Sequence, residues 1–163
     1  MADLNKQRLI AKTLVKTPFQ RGWQFRIELS NQPAEFDLFV KDVTFGPIEI
    51  ETEPIKAGSH TLTFPVSAAP VSISMTMRDH IDERVYKWFE GLSKKVLNED
   101  GTVNLPKDYC INWKRFIVLE DGSELPSNMA WQVYPTKLGD ITESRDDDGF
   151  KEFPITFMQF RAS

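Results

Sequence analysis

The stretch that decides the fold is VSISMTMRDHIDERVYKWFEGL, residues 71–92, because its hydrophobic period changes in the middle. From Val71 to Arg78 apolar residues alternate with small polar ones, which predicts a half-buried strand. Beyond this strand the apolar residues recur every three or four positions, which predicts a helix with one apolar face against a sheet. The residues on that face are Ile81, Val85, Trp88, Phe89, Leu92 and Val96.

Charged residues mark the two ends of the predicted helix. Asp79 is placed as its N-cap, and the acidic pair 82–83 falls in the first turn, where the helix dipole favours negative charge. The lysine pair 94–95 lies near the other end, where the dipole favours cations. Gly91 is a poor helix former, so we expect the helix to bend or end near it.

Strand patterns also precede this stretch. Residues 23–29 alternate cleanly between apolar and polar side chains. Residues 36–40 carry apolar side chains at even positions, whereas Val43 and Phe45 have the opposite parity. We therefore predict one strand over this region, with a bulge near residues 41–42 that reconciles its two halves.

Further strand patterns follow the helix and complete the fold class. They cover residues 110–120, 129–134 and 153–160, with turn signals at residues 121–122 and 148–149. The total is six or seven strands with one helix between their two halves. This predicts an α+β domain whose antiparallel sheets curl into a sandwich or barrel with the helix packed on it.

The first twenty residues are a separate segment. Apolar and basic residues mix there at a rough helical spacing, and the segment ends near Pro18. Two interpretations stay open, an arm that lies on a neighbouring subunit and a frayed terminus. We divide the chain into this N-terminal arm, residues 1–20, and one domain, residues 21–163.

Residues 46–70 form an unusually long connection. It contains four prolines, and its apolar side chains include Ile48, Ile50, Leu62 and Phe64. A connection of this length inside a domain is usually a functional or binding loop, and its apolar residues need a partner surface. Both limbs alternate, so part of it is able to pair as a hairpin. The alternative is a hairpin packed only on its own domain.

Composition excludes several classes of function. The formal net charge is −4, so the overall field repels nucleic acid, and no basic cluster interleaved with aromatic residues is present. A single cysteine excludes an intramolecular disulfide. We find no signal peptide and no membrane span, so we expect a protein that is made in a reducing cytosol and kept or assembled there.

The sequence offers no candidate catalytic, cofactor or metal site. His60 and His80 have no partners at metal-ligand spacing, so each is interpreted as structural or solvated. The acidic run near residues 140–149 fails as a calcium loop, because Ile155 stands where a bidentate glutamate is required. Cys110 is interpreted as a buried small hydrophobe.

Four local patterns, taken in order, resemble those of one known family. They are the opening strand 23–29, a strand with a long loop ending near Pro70, the strand 71–79 followed by an acid-capped helix, and the aromatic-Pro-Thr turn of Trp131–Ile141 before a final strand. Their order and spacing resemble the tail tube proteins of contractile-tailed bacteriophages, which are related in fold to type VI secretion and pyocin tubes. The resemblance covers about residues 19–161.

The resemblance implies a structural protein and not an enzyme. Six subunits are expected to form a ring, to which each contributes strands of one inner β-barrel, and rings are expected to stack into a tube inside the sheath. Baseplate proteins are further expected partners. DNA is expected to pass through the lumen without specific binding. The expected location is the phage virion, after assembly in the cytoplasm of the bacterial host.

Two groups of residues take roles under this resemblance. The long loop, with Ile48, Ile50, Leu62 and Phe64, is suited to contact an adjacent ring. Ser72, Ser74 and Thr76 are candidates to line the lumen, since a wall without basic side chains does not hold DNA.

Three alternatives stay open. The chain is also compatible with a baseplate or tail-end ring of the same fold, for which the N-terminal arm is an argument. A tube of a bacterial contractile injection system is a second alternative. A monomeric ligand-binding β-barrel is the third, and it differs from the others by the absence of self-association.

Overall fold

The computed structural model describes residues 2–160, and the fold consists of a curled antiparallel sheet with four helices. The helices are α1 (Ala2–Lys16), α2 (Phe36–Phe39), α3 (Arg84–Val96) and α4 (Pro106–Tyr109). The strands are β1 (Phe25–Leu29), β2 (Val40–Phe45), β3 (Ile50–Ala57), β4 (His60–Ala68), β5 (Ser72–Arg78), β6 (Ile111–Val118), β7 (Glu124–Leu138) and β8 (Glu152–Gln159). The predicted α+β class is confirmed.

Six strands form one sheet in the order β1-β6-β7-β8-β5-β2, and every pairing is antiparallel. Strands β3 and β4 form a separate two-stranded sheet. The eight strands and four helices exceed the predicted six or seven strands with one helix, because the long connection pairs with itself and three further segments are helical.

One face of the large sheet is apolar and forms the core. On β5, Ile73 and Met75 pair with Phe157 and Ile155 of β8, and all four side chains are fully buried. The alternation of β5 explains this arrangement, since successive side chains of a strand point to opposite faces. The strand predicted over residues 71–78 is therefore present, and its apolar set lies inside.

The sheet curls over this apolar face. The ring of Phe45 on β2 lies 5.4 Å from Trp113 on β6 and 5.8 Å from Trp131 on β7, measured between centroids. Strands β2 and β6 stand four positions apart in the sheet, which would separate them by about 19 Å if it were flat. The sheet therefore wraps around its aromatic core. The outermost strands β1 and β2 do not pair with each other within residues 2–160, so the described sheet stays open.

Helix α3 packs on the same apolar face. Phe89 contacts Phe157 with ring centroids 5.7 Å apart, and Trp88 contacts Phe36 at 5.2 Å. Val85, Phe89 and Leu92 are buried, and Trp88 is half-buried. The helix passes through Gly91 and ends at Val96, so it does not end at the glycine as one expectation had it.

Ile81 does not belong to this apolar face, which corrects the sequence prediction. It is 95% exposed and lies in a turn before α3, which begins at Arg84. Glu83, with a left-handed φ of 59°, donates its backbone N–H to the carbonyl of His80, and this turn delays the start of the helix. The acidic pair 82–83 consequently precedes the first turn.

Asp79 caps α3 from a distance. The turn brings its carboxylate back onto the helix, where Oδ1 accepts from the Val85 N–H at 3.0 Å and Oδ2 from the Tyr86 N–H at 3.3 Å. One side chain thus satisfies two of the backbone donors that a helix N-terminus leaves free. The side chain of Arg84 hydrogen-bonds Asp82 and lowers the pKa of that carboxyl to about 2.

The segment before β2 also differs from the prediction. Residues 36–39 form a single helical turn in which Phe36 and Phe39 are buried at a spacing of three, while Leu38 is exposed. Apolar side chains at even positions over only five residues do not distinguish a strand from one turn of helix. The predicted bulge is confirmed, since the pairing of β2 with β5 shifts register between Val40 and Asp42.

We predict that Asp79→Ala lowers the free energy of unfolding by about 1 kcal/mol, because two helical N–H groups lose their acceptor. Asp79→Asn retains one acceptor oxygen and should fall between this variant and the wild type. Chemical denaturation monitored by circular dichroism measures both. Asp140→Ala, which removes an exposed carboxylate, serves as control. Equal stability of Asp79→Ala and this control would contradict the capping role.

Candidate assembly surfaces

The β3–β4 hairpin projects from the domain without covering its core. Every residue from 50 to 68 is exposed. Its two-residue turn places Gly58 at φ 65°, a left-handed conformation that glycine adopts without steric cost. The predicted connection is therefore a hairpin, and the alternative in which it packs only on its own domain does not describe it.

The hairpin carries exposed apolar side chains on both faces. Ile55 pairs directly with Leu62, and Phe64 lies on the same face two residues further along β4. Ile50 lies on the opposite face of β3, and Ile48 just before the strand is 84% exposed. The sequence prediction named Ile48, Ile50, Leu62 and Phe64 but missed Ile55, whose role depends on its partner across the hairpin.

Exposed apolar side chains at this density need an explanation. Ile55, Leu62 and Phe64, which share one face of the hairpin, are between 47% and 50% exposed. Monomeric soluble proteins rarely expose a contiguous apolar patch of this kind unless it is an interaction site. An isolated two-stranded hairpin is also only marginally stable in water, so a partner surface would stabilise its conformation.

A second surface is the polar face of β5. Ser72 is exposed and Ser74 and Thr76 are half-buried, all three on the side away from Ile73 and α3. Ser74 pairs with Thr44 of β2 and with Thr156 of β8, so a row of three hydroxyl-bearing residues crosses the sheet. Thr44 and Thr156 were missed from the sequence, because only the register of the sheet places them beside Ser74.

Charged residues border this hydroxyl face at one end. Glu152 accepts from Lys41 Nζ at 2.8 Å and from Arg78 Nε at 3.3 Å, and the hydrogen bond from Lys41, assisted by Arg78, lowers the pKa of Glu152. The carboxylate offsets part of the positive charge of its two partners. The hydroxyl row itself carries no ionisable group.

The outer edges of the sheet are a third surface. Strands β1 and β2 stand at the two ends of the strand order, so within residues 2–160 each pairs along one side only. A strand edge presents unpaired N–H and C=O groups that can add another strand. On β1, Arg26 forms a bidentate pair with Glu124 of β7 at 2.6 and 2.8 Å and covers the ring of Phe116.

An acidic cavity of about 510 Å³ lies beside the N-terminus of α3. Its walls are formed by Asp79, Glu83, Tyr86, Ile141, Glu143, Lys151 and Phe153. Lys151 Nζ lies 2.7 Å from Glu143 Oε1, and this hydrogen bond lowers the pKa of Glu143 and raises that of Lys151. Three carboxylates against one lysine leave the cavity negative.

The residues considered for chemistry lie apart from one another. His60 is exposed at the hairpin turn, and His80 sits beside Asp82 before α3. Cys110 is half-buried rather than buried, and its partial burial raises the pKa of the thiol, which disfavours the reactive thiolate. Among residues 2–160 no group of three His, Cys, Asp or Glu side chains is arranged to hold a metal ion. No helix in the same range is long and apolar enough to cross a membrane.

Comparison with known proteins rests on structure. No family model and no curated protein sequence matches the chain. A chain of the sheath–tube complex of the extracellular contractile injection system PVC, in its extended state, superposes with a TM-score of 0.62 at 14% identity, covering 94% of this chain and 95% of that chain.

Two further solved structures come from tube ends. A chain of the PVC sheath/tube terminator in the extended state superposes with a TM-score of 0.60 at 15% identity, covering 91% of this chain and 97% of that one. The tube-terminating cap of the anti-feeding prophage gives 0.63 at 14% identity, with 90% and 91% covered. The chain therefore has the fold found in the tubes, tube terminators and tube caps of contractile injection systems.

Proposed function

We propose that this chain is a structural ring subunit in the tube of a contractile injection machine. The observation that carries the proposal is the β3–β4 hairpin, which is exposed at every residue and apolar on the face of Ile55, Leu62 and Phe64. A hairpin of this kind requires a partner surface. In a stacked tube the next ring supplies that surface, and the sheath surrounds the outside.

The open sheet supports assembly into a ring. Strands β1 and β2 each leave one edge without a partner within residues 2–160. Pairing between subunits would extend the sheet around a ring and remove both edges. Six copies are the number implied by the resemblance to phage tail tubes. The hydroxyl row around Ser74 then faces the lumen, through which DNA passes in a phage or another cargo in a bacterial system.

A terminal ring is the second candidate. Two of the three structures compared above belong to a tube terminator and a tube cap. The chain also carries α1, a helix outside the sheet that an end ring could use for additional contacts. The two candidates differ in copy number, because many tube rings stack along one tube, whereas a terminal ring occurs once at its end.

The proposal predicts self-association. At tens of micromolar, mass photometry and sedimentation should show hexamers, with a ladder of stacked hexamers if the chain is a tube ring and single hexamers if it is a terminal ring. The reason is that exposed apolar surface and open strand edges are removed from water only by neighbours. A monodisperse monomer over the whole concentration range would contradict both candidates.

Replacing Leu62 and Phe64 together with serine should weaken the association of rings at least tenfold. The free energy of unfolding should stay within about 0.5 kcal/mol, because both side chains are already in contact with solvent. The same test applies to Ile48 and Ile50. Sedimentation measures association and chemical denaturation measures stability.

Two control variants accompany this experiment, one for the specificity of the effect on association and one for the loss of stability on removing a core side chain. Val103→Ser with Leu105→Ser removes an exposed apolar pair outside the hairpin and should leave association unchanged. Ile73→Ala removes a buried core side chain and should cost about 2–5 kcal/mol of stability. If the hairpin variant loses stability like Ile73→Ala, the hairpin is part of the core and its assignment to a neighbouring ring is wrong.

The lumen assignment predicts a specific effect of added charge. Ser72→Lys with Ser74→Lys should leave the fold intact, and each assembled ring should gain a band of positive charge facing the channel. DNA should then bind inside with steep salt dependence, because neutralised phosphates release counterions. Val103→Lys with Leu105→Lys adds the same charge after α3 as a control. Particles that eject DNA at normal rates in low salt with both channel lysines present would contradict the assignment.

A further inference from the structure

Helix α1 lies outside the core. Residues 3–16 are all exposed, and none of them belongs to the buried cluster. Its apolar side chains are Leu4, Leu9, Ile10, Leu14 and Val15, each at least 50% exposed. A 15-residue helix whose apolar side chains stay this exposed is marginal in water, so a surface that covers them would stabilise it.

The helix presents a basic row beside an apolar row. Arg8, Lys12 and Lys16 follow one another at intervals of four, so they share one line along the helix. Leu4 and Val15, eleven residues apart, lie on the neighbouring face. A partner of α1 must therefore offer acidic groups next to apolar ones.

The charge of the chain is divided between α1 and the rest. The helix holds four basic residues against Asp3, a formal charge of +3, whereas the whole chain carries −4, so the remainder carries −7. None of the ion pairs between residues 2–160 involves a basic residue of α1. The basic row therefore lacks a carboxylate partner within the described chain. In a second copy, the part of the chain outside α1 (called the body below) has the opposite charge.

The loop 139–151 on the body offers acidic side chains for the basic row and apolar side chains for the apolar row. The loop 139–151 carries five acidic residues against Arg145 and Lys151, a formal charge of −3. Asp146, Asp147 and Asp148 are consecutive and exposed. The exposed side chains of Phe150, at 77%, and Ile141, at 37%, supply the apolar part, and Ile141 also borders the acidic cavity.

We propose that α1 of one copy docks on the loop 139–151 of a second copy, with the row Arg8–Lys12–Lys16 facing Asp146–Asp148 and the apolar row covering Ile141 and Phe150. This inference rests on the proposed function, because it requires that copies of the chain meet. Its charged part is exposed to solvent and is therefore screened by salt, whereas the hairpin contact is apolar.

Charge reversal tests the docking. Arg8→Glu with Lys12→Glu should weaken association at least tenfold at low salt, and Asp146→Lys with Asp147→Lys should do the same. The four substitutions together should restore association to within about threefold of the wild type, because the pairs are re-formed with opposite sign. Lys95→Glu with Lys107→Glu reverses two exposed lysines outside α1 and should leave association unchanged. Sedimentation equilibrium gives the association constants.

A cross-link gives a readout that does not depend on charge. In a Cys110→Ser background, Arg8→Cys with Asp147→Cys should form disulfides between chains in the assembled protein and resolve as covalent oligomers without reductant. Lys95→Cys with Asp147→Cys should stay monomeric under the same conditions. A disulfide formed within one chain would show that α1 folds back on its own loop and would overturn the proposal.

The remaining outcomes separate this inference from the proposed function. If the wild type assembles and the charge-reversal variants assemble equally well, only the docking of α1 is overturned. A wild type that stays monomeric at every concentration would contradict the docking and the proposed function together. A third outcome is that the wild type binds duplex DNA or anionic vesicles and the Arg8→Glu/Lys12→Glu variant does not, while self-association is unchanged. This outcome would assign α1 to another partner and would also overturn the docking.

Discussion

The contact of Phe45 with Trp113 and Trp131 is the interaction on which the rest of the structure depends. It joins strand β2 to strands β6 and β7 across the curled sheet, with ring centroids 5.4 and 5.8 Å apart. Because the sheet curls over its own apolar face, Ile73 and its neighbours are buried within a single chain. The core therefore needs no second copy.

The same curl decides what is left outside. Once one face of the sheet and helix α3 have formed the core, the hairpin, the hydroxyl row and α1 have no place inside. The hydroxyl groups around Ser74 can be hydrated by solvent, whereas the exposed apolar side chains of the hairpin and of α1 cannot. Assembly would use these two elements in different ways, the hairpin through apolar contact and α1 through charge as well. Salt should then distinguish their contributions.

The elements predicted correctly from the sequence are those that a local period defines. The alternation of β5 and the three- and four-residue spacing from Val85 to Leu92 each report one buried face. Asp79 caps the helix, but Glu83 occupies the N-cap position that the sequence predicts for Asp79. Ile81 lies outside the helix for the same reason, because a turn that begins the helix late leaves no mark in the periodicity. Phe36 was assigned to a strand, since one turn of helix is too short to show its period. The position of Thr44 and Thr156 beside Ser74 depends on the register between strands. The curl of the sheet depends on aromatic contacts between distant strands. A single sequence displays neither the register nor these contacts.

We propose that copies of this chain cover the apolar hairpin and the two open strand edges that a single copy leaves exposed. Cryo-electron microscopy of the purified assembly tests it most directly. We expect a six-fold ring with a continuous inner β-barrel, in which Leu62 and Phe64 of one subunit are buried against the adjacent ring. A particle in which the hairpin folds back on its own domain, or in which β1 and β2 keep open edges without a neighbouring strand, would contradict it.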